Sequence, residues 1–429
     1  MNTIRYPQRQ AWSELMQRPA LRISALDGIV APILADVRNR GDEALLYYTK
    51  KFDKATLVSP VVTDAEFMEA DGMVDKELKE AIRVASDNIR TFHSSQKSGV
   101  TKIQTYPGVI CWQKPVAIEK VGLYVPGGTA PLFSTVLMLA IPATIAGCKE
   151  IVLCTPPGMD GSIHPAVLYA AQTTGVTRVF KAGGAQAIAA MAYGTRSIPA
   201  VNKIFGPGNQ YVTAAKQLVS RGAVAIDMPA GPSELAVIAD STANPAYVAS
   251  DLLSQAEHGT DSQVLLITTS EILALRVQSE VEQQLRTLPR KDIAAGSLRQ
   301  SHIIVMHEME DAIAFINDYA PEHLIIATDD AEILAERIVN AGSVFLGHFT
   351  PESAGDYASG TNHTLPTNGY AKVYNGVNLD DYVKKITFQQ ITRQGLEQLG
   401  GVIMKMAESE ALKAHSNAVS IRLNLEEKT

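Results

Sequence analysis

The pattern of apolar and polar positions changes character along the chain. Between residues 9 and 97 apolar residues recur at helical spacing. "SALDGIVAPILADVRNRGDEALLYYTKKFD" carries one apolar face, with Gly41-Asp42 as a break and cap, and "DKELKEAIRVASDNIRTFHSSQ" continues in the same style. Residues 103–117, "IQTYPGVICWQKPVA", alternate and predict a hairpin. From about residue 120 the chain becomes a series of short apolar runs closed by Gly or Pro: "VGLYVPGG", "EIVLCTPP", "TRVFKAGG" and "NKIFGPG". A helical segment follows each, at 131–147, 165–175, 185–194 and 209–220. A second series, "SELAVIAD", "SQVLLITTS", "SHIIVMHE", "EHLIIATDD" and "GSVFLG", again has helices between its members. Strands alternating with helices predict βαβ units, hence two α/β domains with parallel sheets. Residues 350–380 are rich in Gly, Ser, Thr and Asn and read as loop. The charged segment from about 381 reads as a small helical piece.

A length of 429 residues allows two or three domains, and 46% hydrophobic with 19% charged residues is ordinary for a soluble globular protein. The net charge is −7 with no basic stripe, which argues against a nucleic-acid partner. The N-terminus, "MNTIRYPQRQAWSEL", lacks the apolar core of a signal peptide. The longest apolar run, residues 133–147, contains Pro142, is too short for a bilayer and reads as a buried helix. Cys111, Cys148 and Cys154 are too few and scattered for a disulfide framework, so a reducing, cytoplasmic compartment is expected.

Two strand–glycine–helix turns, "KAGGAQAIAA" (181–190) and "FGPGNQYVTAA" (205–215), would place free N–H groups where an anion such as a pyrophosphate could bind, beyond the carboxyl ends of parallel strands. The dinucleotide fingerprint is absent, since "GPGNQY" has Tyr211 where the third Gly belongs. The turns alone leave a nucleotide site and a plain tight βα turn both open.

"LLSQAEHGTDS" (252–262) ends a helix with polar groups. Gln255 and His258, three apart, share a face, Asp251 lies four before Gln255, and Glu257 points elsewhere. A carboxamide and an imidazole suit Zn²⁺, although a His at a helix end also serves as a cap. Further ligands must come from distant stretches: Asp356 and His363 in "ESAGDYASGTNH", and Glu408, Glu410 and His415 in "AESEALKAHSNAV". Taken alone these read as turn residues and a solvated helix face. His93, His164, His302, His307 and His348 stand in charged or turn contexts and read as surface or structural. In "APEHLIIAT" (320–328), Glu322 and His323 sit at the mouth of an apolar strand that Pro321 opens. An irregular strand end could turn both into one acid–base site, whereas an edge-strand start would leave both solvated. Cys154 ends a strand where a nucleophilic thiol could stand. Its apolar flanks and the lack of an adjacent base favour a small buried residue.

"IDMPAGPSE" (226–234), "LLSQAEHG", "PEHL", "SAGDYASGTNH" and "AHSNAV", in that order, resemble the histidinol dehydrogenase family from about residue 25 to about 424. The resemblance implies two incomplete Rossmann-like domains with parallel-rich sheets, small helical terminal pieces and an intertwined homodimer with a shared active site. The implied parts are an N-terminal helical arm (1–22), a first α/β domain (23–122 with 238–380), a second α/β domain on the NAD side (123–237) and a C-terminal piece reaching the partner subunit (381–429). The implied activity is oxidation of L-histidinol to L-histidine through a bound aldehyde, the last two steps of histidine biosynthesis, with one Zn²⁺ per subunit and NAD⁺. Gln255, His258, Asp356 and His415, the last from the partner subunit, would hold the zinc. Ser233, His323 and Glu410, with the zinc-binding groups, would contact substrate. Tyr124, Gln186 and Asn209 would contact NAD⁺, and Glu322 with His323 would be the acid–base pair. Asn375 stands where the family more often has Ser, in a loop outside these motifs. A zinc-dependent hydrolase is the alternative activity, and a non-catalytic NAD- or metal-binding protein a second.

Overall fold

The computed structural model describes residues 1–18, 23–127, 131–228 and 231–424. Its strands run in chain order as β1 (Asn2–Arg5), β2 (Lys102–Tyr106), β3 (Val109–Ala117), β4 (Lys120–Tyr124), β5 (Glu150–Thr155), β6 (Arg178–Lys181), β7 (Lys203–Phe205), β8 (Ala225–Ile226), β9 (Glu234–Ala239), β10 (Gln263–Thr268), β11 (His302–Val305), β12 (His323–Ala327), β13 (Ser343–Leu346) and β14 (Val383–Ile391). Two compact units result: Met1–Gln96 with Ile118–Tyr382, and Lys97–Ala117 with Val383–Thr429.

The larger unit holds two open parallel sheets, one ordered β6-β5-β4-β7-β8 and the other β1-β11-β10-β9-β12-β13. Every residue of β9 and β10 is buried, because helices cover both faces; that is why "ELAVIA" and "QVLLIT" are continuous rather than alternating apolar runs. The apolar run at 133–147 forms the helix Phe133–Ala146, buried from Ser134 to Ala143 against the five-stranded sheet. The other three helices predicted within this sheet are Pro165–Thr173, Gly184–Tyr193 and Gln210–Ser220. In both sheets the strand order reverses, between β4 and β7 and between β9 and β12. No helix among the described residues is long and apolar enough to cross a membrane.

Three assignments differ from the sequence reading. Of the helical arm expected at 1–22, residues 1–18 are described and are not wholly helical: β1 runs parallel to β11 as the edge of the six-stranded sheet and a short helix Trp12–Leu15 follows, while residues 19–22 lie outside the described residues. The helices of 23–96 pack mainly against the five-stranded sheet and its helices, although Asn88 and Gln96 also meet Ala358 and Leu379. Val30, Leu34 and Val37 of Ile23–Arg40 cluster with Tyr124, Cys154, Phe180 and Ile188. Ile82 and Ile89 of Lys76–Ser94 cluster with Val121 and Leu123. An apolar helix face reports that it is buried, not which sheet buries it. The segment from 381 is not wholly helical. β14 pairs antiparallel with β3 along nine residues, from Val383↔Ala117 to Ile391↔Val109, in the smaller unit's three-stranded sheet with β2. Its residues are almost all exposed, so burial left no alternation to read. The helices Arg393–Ser409 and Lys413–Ser420 follow.

Candidate active site

The two sheets of the larger unit present opposite edges to one cleft of about 350 Å³. Pro126, Pro207, Gly208 and Asn209 line it from beyond the carboxyl ends of β4 and β7. Ser233, Gln255, His258 and Glu322 line it from before the amino ends of β9, β10 and β12. The carboxyl-end expectation therefore holds for the five-stranded sheet and is reversed for the six-stranded one. The reversal matters electrostatically, because the six-stranded side delivers a helix C-terminus, which favours a cation.

β12 is an inner strand between β9 and β13, which removes the edge-strand alternative for Glu322 and His323. Ala320 ends the helix Met309–Tyr319 in the left-handed region (φ 54°), Pro321 follows, and the strand proper begins only at His323. Glu322 therefore escapes the strand alternation, and both side chains are buried beside the cleft, 6% and 4% exposed. The turn demands Gly342, where a Cβ would lie 2.5 Å from the Glu322 carbonyl oxygen. The Glu234 amide donates to Glu322 Oε2 (2.8 Å), and the Glu234 carbonyl accepts from His323 Nδ1 (3.2 Å). A carbonyl only accepts, so this bond places a proton on Nδ1, and in the neutral ring Nε2 is then the lone-pair nitrogen. Nε2 is buried without a hydrogen-bond partner and faces Asp356 Oδ1 at 3.6 Å. Glu352 Oε1 lies 3.7 Å from Nδ1. Burial would lower the pKa of His323, but the Glu322, Glu352 and Asp356 carboxylates around it prevail and raise it. Burial raises Glu322 and Glu352, against the attraction of His323.

The helix Pro245–Ala256 starts at Asn244, whose side chain accepts from the Ala246 amide (2.9 Å), with Pro245 in the first turn. Val248, Ala249, Leu252 and Leu253 bury its apolar stripe, and the same turn carries Gln255 inward. Gln255 is fully buried, yet neither atom of its amide has a hydrogen-bond partner. A buried amide in that state is expected to meet a ligand. His258 exposes one face to the cleft, while crowding around its ring lowers its pKa. Asp356 comes from the helix Glu352–Tyr357, inside the segment expected to be loop, and His363 Nδ1 donates to its carbonyl (2.9 Å). Carboxamide oxygen, imidazole nitrogen and carboxylate oxygen from Gln255, His258 and Asp356 fit a borderline divalent cation such as Zn²⁺. A second grouping shares Asp356, since ligand atoms of His323, Glu352 and Asp356 lie within 4.8 Å of one another. Glu410 and His415 belong to the smaller unit and are exposed on it.

Tyr124, Gln186 and Asn209 line a second cavity of about 460 Å³. The Tyr124 hydroxyl accepts from the Gly184 amide (3.0 Å). Asn209 Oδ1 caps the helix Gln210–Ser220, accepting from Tyr211 (3.0 Å) and Val212 (3.1 Å), and Asn209 also lines the cleft. Gly206 is required at the turn before it: φ is 124°, and a Cβ would lie 2.0 Å from the Tyr124 carbonyl oxygen. Gln186 Nε2 is buried without a partner. Cys154 is fully buried, and burial raises its thiol pKa, the opposite of what a nucleophile needs.

Sequence reasoning missed Glu352, Glu234 and Arg18. Glu352 stands four residues before Asp356, a helical spacing hidden by the loop-like composition. Glu234 acts mainly through its backbone, which leaves no side-chain signal.

Two open parallel sheets, a glycine-turn cavity on one side and a buried acid–imidazole pair on the other define an α/β enzyme with a proton-transfer centre. The family model described as histidinol dehydrogenase matches residues 16–423. The chain is 62% identical over 424 residues to a histidinol dehydrogenase of Bacteroides thetaiotaomicron, covering 99% of both chains. It is 54% identical over 412 residues to a chloroplastic histidinol dehydrogenase of Oryza sativa subsp. japonica, covering 95% of this chain and 87% of that one. A crystal structure of histidinol dehydrogenase from Elizabethkingia anophelis matches with a TM-score of 0.97 at 56% identity, over 99% of this chain and 98% of that one. The chain belongs to the histidinol dehydrogenase family, and is thereby an oxidoreductase.

Proposed function

We propose that the chain oxidises L-histidinol to L-histidine through the bound aldehyde, in the last two steps of histidine biosynthesis, at the cleft around Glu322 and His323. The observation that carries this reading is the buried Glu322–His323 pair, held by one backbone residue and opening on the cleft that Gln255, His258, Asp356 and Ser233 also line. Zn²⁺ would be held by Gln255, His258 and Asp356 with His415 of the partner subunit in a homodimer. When bound, it supplies a template that orients the imidazole and amine nitrogens of the substrate. Ser233, His323 and Glu410 would contact substrate, and Tyr124, Gln186 and Asn209 the NAD⁺. Bound NAD⁺ supplies the hydride acceptor, one molecule for each oxidation.

The chain's own work is proton transfer. His323 Nε2 takes the alcohol proton as the carbinol carbon gives up a hydride. Glu322 takes a proton from a water whose oxygen bonds to the aldehyde carbon, while the carbonyl oxygen takes back the proton held by His323 and so returns the imidazole to its basic form. His323 then takes a hydroxyl proton of the hydrate as the second hydride departs. Alcohol plus water thus loses two hydrides and two protons and becomes the carboxylic acid. The carboxylates that raise the His323 pKa stabilise the imidazolium formed at each step. A hydrolase would leave the Tyr124–Gln186–Asn209 cavity without a purpose. The three cysteines are free thiols, which suits a cytoplasmic setting.

The test is an absorbance assay at the NADH band. Two NADH per L-histidinol are expected, with the signal lost to a chelator and restored by zinc. Zinc-dependent hydrolysis without NADH formation would overturn the reading.

A further inference from the structure

The cavity beside Tyr124 shares Asn209 with the catalytic cleft. Ile29, Ile33 and Phe52 also line it, together with Asp53. Phe52 and Ile29 are large apolar side chains left 49% and 54% exposed there, and Tyr211 is 39% exposed. Such a slab suits the flat face of a heteroaromatic base. A dinucleotide that places its reacting ring at the cleft has its adenosine half left for this adjoining cavity.

Asp53 closes the one-turn π-helix Thr49–Asp53, and Lys54 follows in the left-handed region (φ 61°). Its Oδ2 is buried and has no hydrogen-bond partner. Its other oxygen stands near the glycine turn, 3.2 Å from where a Cβ on Gly183 would be. A carboxylate oxygen removed from water and left without a donor is costly, and a ligand hydroxyl would relieve that cost. Among the described residues lining the cavity there is no Lys, Arg or His. Lys51 lies 5.3 Å from the Phe52 ring centroid and does not line the cavity.

We propose that Asp53 is the specificity-determining residue for the dinucleotide: its carboxylate accepts from the adenosine ribose hydroxyls and thereby rejects a dinucleotide that carries a phosphate on that ribose. This rests on the NAD⁺ reading above. A phosphate dianion placed against an unneutralised carboxylate is repelled, whereas a ribose diol offers the two donors that the free lone pairs require.

The test uses the full-length, metal-loaded enzyme with L-histidinol, comparing NAD⁺ and NADP⁺ for wild type, Asp53→Asn and Asp53→Ser. Wild type should favour NAD⁺ strongly. Asp53→Asn should lose about tenfold or more in kcat/KM for NAD⁺, carried by KM. Its NADP⁺/NAD⁺ ratio of kcat/KM should rise by about the same factor or more. Affinities for ADP-ribose and for its 2′-phosphate, read by calorimetry, should converge in the same way; they also keep the test decisive if turnover is lost. An unchanged ratio in both folded variants, with NAD⁺ still used, overturns the role of Asp53 alone. Failure of wild type to bind or reduce NAD⁺ overturns the dinucleotide reading itself, and this inference with it.

Discussion

The backbone amide of Glu234 reaches the side chain of Glu322 at 2.8 Å, so the first residue of β9 holds the acid that opens β12. The Glu234 carbonyl holds His323 from the same position. The Glu234 side chain is itself anchored. Arg18 binds it through Nε to Oε1 (2.5 Å) and Nη2 to Oε2 (2.9 Å), the Asn368 amide donates to Oε1 (2.7 Å), and the Arg18 guanidinium lies 3.9 Å above the Tyr319 ring. Arg18 and Glu234 are thus positioning residues for the pair. Arg18→Ala strands a buried carboxylate and should cost about 3 kcal/mol of stability. Turnover should fall as Glu322 and His323 lose their register. Adding Glu234→Gln in the same chain removes the stranded charge and should recover part of that stability. Denaturant melts of wild type and the two variants check this, and an Arg18→Ala protein with wild-type stability and turnover would show that the anchor is idle.

The roles of Glu322 and His323 separate when the two oxidations are assayed apart. Glu322→Gln cannot take a proton from water, so oxidation of supplied histidinal should fall by about 10²-fold or more while the first oxidation is affected far less. His323→Gln should impair both. Stopped-flow detection of NADH with histidinol and with histidinal distinguishes them. If Glu322→Gln stops the first step and spares histidinal oxidation, the assignment is reversed.

Two overlapping groups of side chains could grip a cation, and metal analysis can choose between them. If Gln255, His258 and Asp356 hold it, Gln255→Leu and His258→Asn should lower zinc content, while Glu352→Gln should keep the metal and lose turnover through the altered field at His323. If His323, Glu352 and Asp356 hold it, Glu352→Gln should lose the metal. The partner's part is tested by mixing. His258→Asn and His415→Asn proteins, each inactive alone, should regain activity when reassociated as dimers. Half of the dimers are mixed, and each of those has one intact site of two, so about a quarter of wild-type activity is expected. No recovery after verified subunit exchange would place His415 outside the partner's site.

Much of this was readable because parallel α/β folding leaves strong local signals. Buried strands such as "QVLLIT" show as unbroken apolar runs, and Gly206 and Gly342 mark turns where a side chain would collide with backbone. Gln255 and His258 stood out by their three-residue spacing at a helix end, which left a capping His equally open; the helix ends at Ala256, before His258, and both residues line the cleft. Packing between distant stretches was not. The stripe of Ile82 and Ile89 reveals burial but not its partner sheet, and β14 has too little burial to alternate. Glu352 was hidden because the Gly- and Ser-rich composition around it describes the whole segment better than its single helical turn. Cys154 was read correctly as an apolar side chain; Cys154→Ser should leave aldehyde oxidation intact.

A buried acid beside the site gives the fold a pH dependence of its own. Asp251, on the helix that carries Gln255, has its carboxyl pushed up to about 7 by burial, against a hydrogen bond from the Glu352 amide. In the unfolded chain the same group titrates near pH 4. Between those values the folded state keeps a proton that the unfolded state has released, so stability falls as pH rises from about 4 to about 7 and is lowest once the buried carboxylate is charged. Asp251→Asn keeps a side-chain oxygen for the Glu352 amide and removes the charge. Its stability gain over wild type should therefore be larger at pH 8 than at pH 5.5, by about 2 kcal/mol. Urea melts of both proteins at the two pH values measure this, and an equal difference at both would show that Asp251 is ionised in the folded protein throughout the range.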